Sequence, residues 1–129
     1  MKNIWLALCL IAGVAAAQGS KVTPLMTKDL AAVIAAAPQE GTITTVEYEP
    51  GASSAAHRHN AYVFVYVLEG SVMMQVKGGK EVTLGPGETF YESPGDIHTV
   101  SRNASNTNHA KILVFMVKEK GAPVTLPAN

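Results

Sequence analysis

The sequence predicts an all-β protein whose short strands pair in antiparallel fashion. After Gly41, runs rich in β-branched and aromatic residues alternate with turns built from glycine, proline and asparagine. Almost no helical pattern separates these runs, so neighbouring strands must pair through tight turns, and the architecture is either a sandwich or a closed barrel. A chain of 129 residues is long enough for one such domain and not for two.

Residues 1–17 are typical of an export signal. Lys2 supplies the basic start, residues 4–14 form a short apolar core, and the three alanines at 15–17 provide small residues for cleavage. We expect the mature chain to begin at Gln18 and the protein to be periplasmic or secreted.

The composition excludes several classes of function. Ten basic and ten acidic residues cancel, and no basic patch is present, so a nucleic-acid binder is not expected. No segment approaches about 18 consecutive apolar residues, which excludes a protein with several membrane spans. The single cysteine, Cys9, lies in the signal, so the mature chain has no disulfide and no thiolate ligand.

Between the signal and the strands, residues 18–41 form an N-terminal extension in which we predict one short helix. Thr27 can cap its start, and Pro38 with Gly41 ends it. The spacing i, i+3, i+4 and i+7 gives the helix one apolar face, made by Leu30, Val33, Ile34 and Ala37.

Residues 42–118 contain the predicted strands. Glu69-Gly70 and the Lys77–Lys80 stretch are tight hairpin turns between them. The strand-like runs are 42–48, 62–68, 71–76, 81–84, 89–92, 97–101 and 111–117. Residues 119–129, which contain two prolines, are expected to form a loosely attached C-terminal tail.

Four histidines offer the clearest chemistry. His57 and His59 are two residues apart, so in an extended segment both rings project from the same face. A pair of imidazoles at this spacing suits one metal ion. His98 follows a tight Pro-Gly turn and opens a strand, so a neighbouring strand could bring it beside the pair. His109 lies in a polar loop and is expected to be a solvated surface residue.

The glycines and histidines resemble the two motifs of the cupin superfamily, which occur here in order over residues 42–118. The first motif has a glycine, a His-x-His pair, usually a glutamate, and a closing glycine; the second has a glycine, a Pro-x-Gly turn and a histidine. The matching residues are Gly51, His57, His59, Gly70, Gly87, Gly95 and His98. The resemblance implies a double-stranded jelly roll, a small β-barrel, with a metal bound inside by His57, His59 and His98.

Three positions depart from the family's pattern. Val63 stands where the motif glutamate falls and cannot bind a metal. The motif proline falls at Ser93 and the terminal asparagine at Arg102, each with the expected residue one place later. Glu92 and Glu69 are the nearest candidates to replace the carboxylate, and we expect each to be a turn or rim residue at a strand end.

A site with three neutral imidazoles leaves a divalent ion its full charge of +2, which should attract a small anionic ligand. Nitrogen ligands favour iron, zinc, copper or nickel, with manganese also a candidate, over magnesium or calcium. Alternation along the strands predicts an apolar lining that includes Val63, Val65 and Met74. No residue is identified as catalytic.

Two functions follow from this site, and the sequence leaves both open. One is a small metal-dependent enzyme, either dioxygenase-like or isomerase/lyase-like, as the resemblance implies. The other is a periplasmic metal or small-ligand binding protein without turnover. Phe64, Tyr66 and Leu68 alternate away from the lining, and this apolar outer face predicts a homodimer.

Overall fold

A computed structural model describes residues 23–26, 28 and 37–129, and this part of the chain contains nine β-strands. The predicted export signal and most of the predicted helix lie outside the described residues. Within the described part, no helix is both long and apolar enough to cross a membrane.

The strands follow the sequence pattern closely, and two very short strands are added. In chain order they are β1 (Gln39–Tyr48), β2 (His57–Arg58), β3 (Ala61–Glu69), β4 (Val72–Val76), β5 (Val82–Leu84), β6 (Thr89–Glu92), β7 (Ile97–Asn103), β8 (Ala110–Glu119) and β9 (Leu126–Pro127).

The strands form two antiparallel sheets, which confirms the predicted all-β, jelly-roll architecture. One sheet has the order β1-β8-β3-β6 and the other β5-β4-β7-β2-β9. Sequential neighbours often lie in different sheets or are separated by another strand, as in a jelly roll. The inner faces of the two sheets enclose the core.

Side chains along β3 alternate between the core and the outer face of the sheet. Val63, Val65 and Val67 are buried, whereas the residues between them are only partly covered. The strand β8 alternates in the same way and buries Ala110, Ile112, Val114 and Met116. Because the β3 and β8 sets face the buried Val72 and Met74 of β4, they form one mainly aliphatic core, to which Tyr48 also contributes.

The structure explains the residue type at two motif positions, Gly70 and Asn103. Gly70 closes the β3–β4 turn at φ +69°, and a Cβ there would collide with the backbone of His109 and Ala110, so only glycine fits. Asn103 is 1% exposed, and its amide donates to the backbone oxygens of Tyr48, Glu49 and Asn108. The displaced asparagine therefore still ties three chain segments together.

Candidate metal centre

A cavity of about 350 Å³ lies between the two sheets. Its wall is mainly aliphatic and includes the three residues predicted to line it: Val63, Val65 and Met74. All three are at most 3% exposed. His57, His59 and His98 lie in the same wall.

Strand pairing brings the three histidines together. His57 in β2 lies directly opposite His98 in β7, and the centroids of the two rings are 5.1 Å apart. His59 comes directly after β2, and its ring meets that of His57 edge-on, with the ring centroids 4.9 Å apart. One ring nitrogen from each histidine lies within 4.8 Å of the other two, a spacing from which three imidazoles could bind one metal ion.

Each of the three rings is held through Nδ1. The Nδ1 of His57 contacts the backbone oxygen of Ala55 at 2.7 Å, and that of His59 contacts the backbone oxygen of Val124. The Nδ1 of His98 lies 3.1 Å from the Glu92 carboxylate. An acceptor at Nδ1 keeps the proton on that nitrogen and leaves the Nε2 lone pair available, as in protein-bound imidazole ligands.

The free nitrogens are consistent with a metal site. The Nε2 of His98 is buried and has no hydrogen-bond partner, which is costly unless an ion or ligand contacts it. Burial lowers the pKa of His57, with smaller lowering from His59 and His98, while the bond to Ala55 acts in the opposite direction. The neutral form of His57, which metal binding requires, is therefore favoured.

Glu92 is not a rim residue, and that prediction was wrong. It is 2% exposed, lines the cavity, and lies opposite Val63 in the β3–β6 register. A carboxylate is therefore present beside the position that lacks the motif glutamate, but it bonds to His98 from the side facing away from Nε2. Alternation could have revealed this, because Glu92 follows the apolar Phe90 by two residues and so shares its strand face. In the structure, Phe90 stacks on His98 with centroids 5.8 Å apart.

The C-terminal segment also belongs to this site. Instead of hanging loosely, it pairs with β2 through β9, and Arg58 donates to the backbone oxygen of Pro127 at 3.2 Å. Val124 and Thr125 line the cavity, and the Val124 carbonyl contacts His59. The segment 119–129 therefore contributes to the cavity wall and orients one of the three histidines.

The fourth histidine, the second candidate carboxylate and three of the tyrosines lie outside the cavity. His109 is exposed and pairs with Glu69 at 3.0 Å, as expected of a solvated pair. Of the four tyrosines in the sequence, Tyr62, Tyr66 and Tyr91 do not line the cavity. The cavity's tyrosine is Tyr48, which the sequence did not single out; its hydroxyl hydrogen-bonds to that of Ser101 at 2.7 Å.

The family model for the cupin domain matches residues 44–116, more than half of the chain. The chain belongs to the cupin superfamily. No curated protein matches its sequence significantly.

Solved structures similar to this cupin have varied activities. The dimethylsulfoniopropionate (DMSP) lyase DddQ from Ruegeria pomeroyi is 20% identical, with a TM-score of 0.59 over 67% of this chain and 42% of that one. An RmlC-like cupin from Shewanella frigidimarina is 21% identical, with a TM-score of 0.54 over 64% and 69%. The polyketide cyclase RemF from Streptomyces resistomycificus is 25% identical, with a TM-score of 0.54 over 69% and 61%. The chain thus spans less than half of the lyase, and the likeness to the lyase and the RmlC-like protein shows the fold alone.

Proposed function

We propose that this cupin binds one divalent transition metal through His57, His59 and His98 and acts as a small metal-dependent enzyme on a small anionic molecule. The observation that carries the proposal is the set of three ring nitrogens within 4.8 Å, each on a ring held through its other nitrogen. Three protein ligands leave coordination positions for a substrate, as in catalytic rather than structural metal sites.

Such a metal, when bound, would polarise a ligand oxygen as a Lewis acid, and iron or copper would also permit O₂ chemistry. The chain's own residues supply the environment. The mainly aliphatic wall gives a ligand an apolar environment, and the Tyr48–Ser101 hydroxyl pair offers a polar contact inside the cavity. The likeness to a polyketide cyclase, at 25% identity, supports activity on a small organic molecule.

Metal analysis of the purified mature protein tests the metal site. We expect about one transition-metal ion per chain in the parent protein and little in His98→Ala, because the two remaining imidazoles make a weaker chelate. His109→Ala is the matched control, since that histidine is exposed and lies outside the cavity. A parent-like metal content in His98→Ala would contradict the proposal.

A binding protein without turnover is the second candidate. Among the described residues that line the cavity, Glu92 is the one carboxylate, and one of its oxygens is already engaged by His98. This leaves few groups able to move a proton during a reaction, which favours binding. Incubation of the iron- or copper-loaded protein with enolisable diketones distinguishes the two: steady consumption of oxygen, or chemical conversion of the diketone without it, supports an enzyme, and a stable complex from which the diketone is recovered unchanged supports a binder.

We also propose that the protein is exported and forms a homodimer. Export rests on residues 1–17, and N-terminal sequencing of exported protein should begin at Gln18. Dimerisation rests on the outer face of the sheet β1-β8-β3-β6, where Ile43 is 67% and Phe115 36% exposed and Phe64 packs beside Phe115. A partner covering this face would remove exposed apolar surface from water.

A further inference from the structure

We propose that the cavity selects ligands with a single anionic group on an apolar body and rejects dianions. This inference rests on the proposed metal site and specifies its substrate class. It follows from three features of the described wall: its charges, the chemistry of the surface beyond the histidines, and the position of its one hydroxyl pair.

Apart from its histidines, the cavity wall formed by the described residues contains no basic side chain that could pair with an anion. No lysine or arginine lines the cavity in the described part of the chain. Arg58 lies beside the histidines in sequence, but its side chain bonds to the backbone of Pro127. Lys118 is buried elsewhere, where it pairs with Glu40. An anionic ligand would therefore find its positive partner at the metal alone.

Glu92 reduces that positive charge. The sequence predicts a site charge of +2, but the structure adds a buried carboxylate that contacts His98 and has a second oxygen, Oε2, without a partner. A divalent ion and this carboxylate together carry one positive charge, which one negative charge on a ligand would neutralise. A second negative charge in the cavity would have no counter-ion, and an unpaired charge in an apolar environment is strongly unfavourable.

The wall away from the histidines is suited to an apolar ligand body. Val46, Ile112, Val114 and Met116 join the three residues already described there. The hydroxyls of Tyr48 and Ser101 are bonded to each other, so they can accept a neutral polar group but cannot balance a charge. A volume of about 350 Å³ is at the small end for ligand pockets and suits a molecule with one ring or a short chain.

Benzoate and terephthalate are matched probes for this selection, since they differ by one carboxylate and the rigid ring prevents the second from folding back onto the metal. We measure their binding to the zinc-loaded, dialysed protein by isothermal titration and check the zinc content afterwards. Benzoate should bind at least about tenfold more tightly than terephthalate, because the second carboxylate meets a wall that holds no cation. Neutral benzamide should bind more weakly than benzoate.

A cation introduced at the rim tests the cause of the selection. Thr44 is exposed and lines the cavity, whereas its neighbour Thr45 is exposed but does not line it. Thr44→Arg should reduce the ratio of benzoate affinity to terephthalate affinity at least about threefold, since the arginine supplies the missing counter-ion. Thr45→Arg, the matched control, should leave it unchanged.

The outcomes separate the two proposals. If the parent protein does not bind zinc, the proposed metal site fails. If zinc binds but terephthalate binds as tightly as benzoate, or neither probe binds, the metal site stands and the selection is refuted. Equal effects of Thr44→Arg and Thr45→Arg would also refute it, because the added charge would then act through the general field of the protein and not inside the cavity.

Discussion

The Glu92–His98 contact gives the sharpest test of how the site is built. The carboxylate accepts from Nδ1 of His98 at 3.1 Å, and the two side chains are 3% and 4% exposed. Removing the acceptor would leave a buried N–H group without a partner and would free the ring to turn. Loss of such a second hydrogen bond on a metal-binding histidine typically lowers metal affinity 10- to 100-fold, which is about 1.4 to 2.8 kcal/mol.

Two substitutions of Glu92 separate charge from geometry. Glu92→Gln keeps an oxygen that can accept from His98 but removes the charge, so we expect about a tenfold loss of zinc affinity, at the low end of that range. Glu92→Ala removes the acceptor as well, and we expect a loss of about 100-fold. Competition with a fluorescent zinc chelator measures both, and circular dichroism checks that each variant is folded.

The chain contains a matched control for this experiment. Glu69 and His109 form the same pair of groups at 3.0 Å, but their side chains are 57% and 65% exposed and lie outside the cavity. Glu69→Gln should therefore leave zinc affinity unchanged, since exposed pairs contribute little. A folded Glu92→Ala protein with the zinc affinity of the parent would refute the role assigned to Glu92.

Three further predictions address the tail, the buried lysine and the outer face. Ending the chain at residue 122 removes the Val124 carbonyl that holds His59, so zinc affinity should fall about tenfold in titrations. The hydrogen bond from Lys118 lowers the pKa of Glu40, so this pair stabilises the fold above the ordinary glutamate pKa and ceases to do so as the pH falls through the lowered value. Glu40→Gln should therefore lower the melting temperature at pH 7, and the difference should vanish as the pH falls through the lowered pKa of Glu40. Ile43→Lys should convert a dimer to a monomer in light scattering, because it places a charge on the exposed apolar face.

Each of these predictions has its own control. Ending the chain at residue 125 removes β9 but keeps the Val124 carbonyl; an equal loss of affinity in both truncations would mean that β9, and not the carbonyl, is responsible. Glu47→Gln breaks an exposed pair with Lys111 and should change the melting temperature less than Glu40→Gln. Thr83→Lys adds a charge at an exposed position of the other sheet and should leave the dimer intact; a monomeric parent protein would contradict the dimer outright.

The strands were predictable because their signals are local. Alternation in the run from Tyr62 to Leu68 follows from the pleat of a strand, and turns such as Glu69-Gly70 depend on the conformational freedom of glycine. The same local reasoning placed His57 and His59 on one face. The short strands β2 and β9 were not predicted, because two residues carry no period and pair only where the rest of the fold holds them.

The sequence alone therefore determined the all-β class and the positions of the principal strands. It also identified the three histidines, which lie in two family motifs although His57 and His98 are 41 positions apart. The tertiary structure alone decided what surrounds them. Glu92 looked like a residue at a strand end, and the tail looked loose, because burial and hydrogen bonding depend on which strands lie opposite each other. Pairing of β6 with β3 and of β9 with β2 placed a carboxylate and a backbone carbonyl against two of the three imidazoles, and such contacts between distant segments leave no periodic signal in the chain.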